Sequence, residues 1–145
     1  SLADLHRTTG KRVICSVHPR TRSKLDSLAD APELTGVELL EPFGFFDFVR
    51  LEQDAFCVIS DSGTVQEEAC IFGTPNVTIR DVTERPETIE AGSNILAGVE
   101  SESVLRAVEM VTNQSTSWTP PAEYLVENVA QVVSGIILRR RSKLL

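Results

Sequence analysis

The tripeptide Ser62-Gly63-Thr64 stands where a short apolar run, residues 56–60, meets the first turn of a helical pattern. A helix beginning there leaves the amides of residues 62–64 without intrahelical acceptors and carries a partial positive charge, which suits a phosphate group. Glu68 follows Thr64 by about one turn and borders the apolar stripe of the same helix, so its carboxylate falls near the same cleft. A carboxylate in that place accepts two hydrogen bonds from a vicinal diol such as a ribose. Arg85 precedes Pro86, whose ring restricts the arginine backbone to extended geometry and helps aim the guanidinium at a diphosphate. Phosphate, diol and charge clamp together describe a nucleotide. Each residue also has a purely structural reading: Ser62 or Thr64 as a helix cap, Thr64-x-x-Glu67 as a capping box, and Arg85 as the ion-pair partner of Glu84, Glu87 or Glu90. By spacing alone, most strand-turn-helix units bind nothing.

These residues need elements to position them. In the helix after Gly63, Val65, Ala69 and Phe72 recur on one face, and Gly73-Thr74-Pro75 ends it with a glycine cap and a proline. Upstream, residues 1–10 have helical content and residues 12–17, RVICSV, form the first strand. His18-Pro19 ends that strand, and Thr21 is expected to cap a helix with Leu25, Leu28 and Ala29 inward. Residues 37–40 make a second strand, and Glu41-Pro42-Phe43-Gly44 turns into a helix carrying Phe45, Phe46, Val49 and Leu51. Downstream come a strand at 75–79, a polar loop at 80–92, and a strand at 93–97. Ser101 or Ser103 then caps a helix bearing Val104, Leu105, Val108 and Val111. Residues 113–121 are a polar linker, and a final helix over 122–138 places Leu125, Val129, Val132, Val133 and Ile136 on one face, before a solvated tail at 139–143. Strands alternating with helices predict an α/β domain with a parallel sheet covered on both faces. Ligands of such sheets bind beyond the carboxyl ends of the strands, where His18, Pro42, Ser62 and Arg85 all fall.

The run SDSGTVQEEACIFGTPNVTIRDVTERPETIEAGSNILAG resembles the signature of the non-hydrolysing UDP-N-acetylglucosamine 2-epimerases. The matching positions are Asp61-Ser62-Gly63, Gln66-Glu67-Glu68-Ala69, Gly73-x-Pro75, Arg80-Asp81, Thr83-Glu84-Arg85-Pro86-Glu87 and Glu90-Ala91-Gly92, with Val17-His18-Pro19 upstream and residues 124–129 downstream. Two positions depart: Thr64 stands where the family usually has a second glycine, and Val82 where it has a second threonine. The resemblance implies a two-domain enzyme with facing Rossmann-like halves, similar to GT-B glycosyltransferases, in which UDP-sugar lies in the cleft. Residues 1–145 then correspond to the C-terminal, UDP-binding half, the N-terminal domain with the acidic residues for proton chemistry being absent from this chain, which is expected not to turn over alone. It further implies Ser62, Gly63 and Thr64 on phosphate, Arg85 as charge clamp and Glu68 on ribose. His18 would line the cleft near the sugar. Pro42 and an aromatic would border the uracil; Phe48 matches the family's ring, with Phe43, Phe45 and Phe46 nearby. The family's reaction eliminates UDP to an unsaturated sugar and re-adds it with the opposite configuration, without redox cofactor or metal. The same resemblance implies a homodimer of the full-length protein. The rival readings are the donor-binding domain of a GT-B glycosyltransferase and a non-catalytic nucleotide-sugar binding module.

Composition agrees with an ordinary soluble domain, and no apolar run approaches the length of a membrane span. Cys15, Cys57 and Cys70 lie in apolar contexts without paired spacing, as reduced residues of a cytoplasmic protein do, and with only His6 and His18 beside them no metal-ligand spacing exists. The net charge of −7 conceals a split: residues 26–127 hold 20 acidic residues and four basic ones. An acidic middle excludes a nucleic-acid surface, which needs a continuous basic face, so an anionic ligand has to be held by a few placed groups.

Overall fold

A computed structural model of the chain describes residues 2–28, 34–113 and 117–141. Five short strands are all paired in parallel: β1 (Val13–Ser16) with β2 (Val37–Leu40), and β3 (Val58–Ser60), β4 (Asn76–Thr78) and β5 (Asn94–Leu96) in that order. Parallel neighbours require crossovers, and helices supply them. In chain order these are α1 (Leu2–Thr9), α2 (Pro19–Asp26), α3 (Phe45–Asp54), α4 (Gly63–Phe72), α5 (Pro86–Glu90), α6 (Ser101–Asn113) and α7 (Val129–Arg141). This is the expected Rossmann-like α/β arrangement, except that its strands form two ladders: among the described residues β1 and β3 share no strand pairing. One core still unites them. Leu5 of α1, Val77 of β4 and Ala107, Val108 and Val111 of α6 form a buried cluster, against which Val13, Cys57, Ile59 and Ile95 pack.

The opposite face of the three-stranded ladder is unlike that core. Strand side chains alternate in direction, so while Val77 meets α6, Asn76 and Thr78 point the other way, toward α4. There Asn76 Nδ2 donates to Asn94 Oδ1 (2.9 Å), Thr78 Oγ1 donates to the same oxygen (2.8 Å), and Asn94 Nδ2 donates to Gln66 Oε1 (3.3 Å). A buried layer of amides and hydroxyls, rather than aliphatic side chains, therefore fills the space between sheet and helix, and hydrogen bonding is what makes its burial tolerable.

Several expected details change. His18, not Thr21, caps α2: its Nδ1 accepts from the Arg20 amide (3.2 Å), with Pro19 in the first helical position. That helix ends at Asp26 and Leu28 is exposed, while Ala29 lies outside the described residues. The first turn of α6 closes on Glu100, whose carbonyl accepts from the Val104 amide (3.0 Å), so the cap position falls on Glu100 and both serines expected to cap the helix lie inside it. Residues 80–92 are not wholly loop, because Pro86 starts α5 inside them. The final helix breaks in two: a 3₁₀ turn at Ala122–Leu125, then α7, which stays helical through Arg141, with residues 142–143 of the expected tail outside the described ones. Its apolar residues are not docked on the sheet; Leu125, Val129, Val132, Val133 and Ile136 are all exposed. Phe45 and Phe46 are exposed too, whereas Val49 and Leu51 are half-buried. All three cysteines are free. No helix among the described residues is long and apolar enough to cross a membrane.

Candidate functional site

The site starts where β3 ends. Ser60 Oγ accepts from the Ser62 amide (3.1 Å), which closes a tight turn and sends the chain into α4. Ser62 occupies the cap position in extended conformation (φ −82, ψ 128), and its carbonyl takes the Gln66 amide (3.3 Å), but its side chain makes no capping bond. The Thr64-x-x-Glu67 box is not formed either, since the cap sits two residues earlier. The amides of Gly63, Thr64 and Val65 consequently have no acceptor among the described residues. That is an open anion-binding end. The other end closes as expected, with Gly73 in the left-handed region (φ 77) and its amide on the Ala69 carbonyl.

Arg85 lies across this opening. A methyl group built on Gly63 would stand 3.7 Å from Arg85 Cζ and 3.9 Å from Nη2, which measures how closely the guanidinium covers the helix start. Arg85 caps α5 with φ −127 and ψ 58, outside the helical region but short of the fully extended geometry expected before proline. Its ion-pair partner is not Glu84, Glu87 or Glu90: Nε donates to the carboxylate of Glu67 on α4, and Nη1 donates to the Glu84 carbonyl (3.0 Å). The hydrogen bond and charge of Glu67 raise the guanidinium's pKa above its ordinary value, so the group stays cationic. Nη2 donates to nothing among the described residues.

Glu68 is half-buried one residue further along α4. Beside it lies a residue that sequence patterning missed, Glu52 in the last turn of α3. Glu52 is only 3% exposed and neither carboxylate oxygen has a hydrogen-bond partner among the described residues. Burial, and then the neighbouring Glu68 carboxylate, push its pKa up to about 7. The one signal in sequence was an acid interrupting the apolar spacing of Val49 and Leu51. Tyr124 was also missed. Its hydroxyl faces Glu87 (3.4 Å), and burial followed by the charges of Glu87 and Glu67 holds its pKa at about 12. The segment carrying it is pinned to α4 by Trp118 Nε1, which donates to the Cys70 carbonyl (2.9 Å).

The remaining predicted residues follow β1 and β2, in the other ladder, without touching that group. His18 follows β1 and spends Nδ1 on capping α2; Pro42 is exposed after β2; Phe48 is half-buried in the first turn of α3. Phe45 and Phe46 meet edge to face (centroids 5.5 Å) in solvent, while Phe43 is half-buried. The described contacts bring together Gly63, Glu67 and Arg85, and no described contact joins His18, Pro42 or Phe48 to them. A cavity of about 520 Å³ opens between α5 and the 3₁₀ turn, bordered by Glu87, Glu90, Glu123 and Tyr124; its three carboxylates oppose an anion, and none of the predicted site residues lines it.

Comparison with known proteins gives the family and the fold. Residues 1–138 match the family model described as UDP-N-acetylglucosamine 2-epimerase. The chain is 43% identical over 114 residues to the UDP-N-acetylglucosamine 2-epimerase of Methanocaldococcus jannaschii, covering 77% of this chain and 31% of that protein. Among solved structures, the Rickettsia bellii UDP-N-acetylglucosamine 2-epimerase superposes with a TM-score of 0.83 at 37% identity, covering 96% of this chain and 39% of that one. The Methanocaldococcus jannaschii protein in complex with UDP-GlcNAc and UDP superposes at 0.70 with 39% identity, covering 82% and 34%. The chain thus spans about a third of the length of the curated relatives it matches.

Proposed function

The chain belongs to the UDP-N-acetylglucosamine 2-epimerase family, and from that premise we propose that it is the half of such an enzyme that holds UDP while the sugar is inverted at C2. The observation that carries the reading is the guanidinium of Arg85 lying across the open first turn of α4. Two independent sources of positive potential, the free amides and a permanent cation, converge on one spot. In a stretch with 20 acidic and four basic residues over 26–127, this concentration of positive potential suits an anionic ligand.

In this reading the amides of Gly63 and Thr64, with the Ser62 hydroxyl, take the diphosphate, and Arg85 Nη2 adds a charge-assisted bond. Glu68 accepts from the ribose diol. Pro42 and Phe48 border the uracil, and His18 stands at the sugar end. Elimination breaks the C1–O bond, the electron pair leaving with UDP as C2 gives up its proton; re-addition reforms that bond and returns a proton to the opposite face of C2. The residues that move those protons belong to an N-terminal domain of the longer protein. What this half contributes is retention. UDP held by amides, arginine and glutamate stays beside the unsaturated sugar, so its return is effectively unimolecular. A cytoplasmic homodimer belongs to the same proposal; light scattering of the full-length protein that gives a monomer mass removes the dimer from it.

Titration with UDP, with ADP as control, followed by amide NMR tests the site. UDP is expected to move the Gly63 and Thr64 resonances selectively, and Arg85→Ala and Glu68→Ala are each expected to weaken binding about tenfold or more, the scale of a lost charge-assisted hydrogen bond. Absence of any UDP-induced shift at millimolar concentration, in this chain and in the full-length protein alike, would refute the assignment.

A further inference from the structure

The buried polar layer over β4 and β5 does more than fill space, because it leads to one residue. Both main-chain groups of Arg85 end in it. The Arg85 amide donates to Thr83 Oγ1 (3.0 Å), and the same hydroxyl donates to Gln66 Oε1 (2.6 Å). The Arg85 carbonyl accepts from Thr88 Oγ1 (2.8 Å) and from the Thr88 amide (3.1 Å). Thr88 Oγ1 in turn accepts from Asn94 Nδ2 (3.0 Å), the group that also reaches Gln66 Oε1. Gln66 and Asn94 are therefore the common anchor of both routes, and Asn94 is fixed in the sheet by Asn76 and Thr78.

We propose that Thr83 is a positioning residue for Arg85: its hydroxyl fastens the Arg85 main chain to Gln66 of α4, so that the helix presenting the free amides also sets where the guanidinium stands. The inference rests on the reading of that helix start and Arg85 as the diphosphate site. Its physical basis is register. Gln66 is three residues after Gly63, within the first turn of α4, so a bond to its side chain references Arg85 to the same rigid turn that carries the amides. Thr83 is suited to the task because one hydroxyl serves as donor and acceptor at once. A guanidinium on a four-bond side chain gains precision only when its backbone does not drift, and a displacement of the order of 1 Å is enough to spoil a charge-assisted contact. Without the hydroxyl the Arg85 amide loses its acceptor, and the Arg85 main chain loses its shortest route to Gln66 of α4.

A role confined to stability predicts something different, and a double-mutant cycle separates the two. In the natural full-length chain carrying these residues, UDP affinity is measured calorimetrically for Thr83→Val, Thr83→Ser, Arg85→Ala and the Thr83→Val/Arg85→Ala pair. Thr83→Val, which keeps shape and removes the hydroxyl, is expected to weaken UDP about tenfold, the equivalent of one charge-assisted bond lost. Thr83→Ser should restore affinity to within about twofold, and Thr83→Val should cost nothing further once Arg85 is Ala. In parallel, selective labelling of arginine follows the Arg85 Nε–Hε resonance, which should shift in Thr83→Val and stay in place in Thr83→Ser. An equal loss of affinity with and without Arg85→Ala, or an Nε–Hε resonance unmoved by Thr83→Val, overturns the proposal. If the unsubstituted protein binds no UDP, the diphosphate reading fails by itself, and the resonance alone then decides whether Thr83 positions Arg85.

Discussion

Glu52 is costly where it stands. A carboxylate that is 3% exposed, with both oxygens unpartnered among the described residues and Glu68 beside it, loses its hydration and gains a repulsion. Its pKa in the folded chain, about 7, lies above the ordinary carboxylate value of 4.5. The folded state thus keeps a proton that the unfolded chain has already released, and the group makes the fold progressively less stable as pH rises from about 4.5 to 7. Glu52→Gln removes that dependence. Urea unfolding at pH 5 and pH 8 should show the variant gaining on the parent by about 1 to 3 kcal/mol between the two pH values. A gap that does not change with pH would mean that Glu52 titrates normally. Such a residue is hard to find in sequence, because an acid near the end of a helix reads as a solvated surface group until the packing of α3 on α4 encloses it.

At the scale of elements, those with a clean period were legible. The apolar runs of β1 to β5 and the stripes of α4 and α6 fell where spacing placed them, since α6 buries its stripe in the core and α4 turns Val65 and Ala69 inward. What escaped notice had no such stripe or a misleading one. Residues 80–92 hide α5 because five residues of helix started by Pro86 carry only Thr88 inward. Residues 122–138 hide a break, because Leu125, Val129 and Val132 keep helical spacing across the interruption at 126–128. Thr21 looked the better cap, yet His18 is the residue that precedes Pro19 in extended geometry. Of the candidate site, the open α4 start, Arg85 and Glu68 were visible as residue types, whereas Gln66, Thr83 and Asn94 were not, since amides and hydroxyls read as surface. The glycine stop of α4 was fully legible and can be tested directly. Gly73 has φ 77, and a Cβ there meets nothing within 4 Å, so Gly73→Ala carries backbone strain alone. Urea unfolding should show a loss of about 1 kcal/mol; no loss would place the αL requirement elsewhere.

Across the whole molecule the apolar surface is unevenly placed. The buried core gathers around β4 and α6, while α7 shows solvent an almost unbroken run of Val129, Val132, Val133, Ile136, Ile137 and Leu138. A helix gains little stability from side chains left in water, so its apolar composition has no account within the described residues. The proposed two-domain protein supplies one, with α7 buried where the halves meet. That assignment separates two measurements. In this chain Val132 and Ile136 are 49% and 62% exposed, so replacing both by Ser should change unfolding free energy by no more than about 0.5 kcal/mol. In the full-length protein the same pair would lie against a second domain, and the double replacement should then cost several times as much, on the order of 2 kcal/mol or more. Equal and small effects in both would leave α7 without an intramolecular partner and turn its apolar face toward another molecule instead.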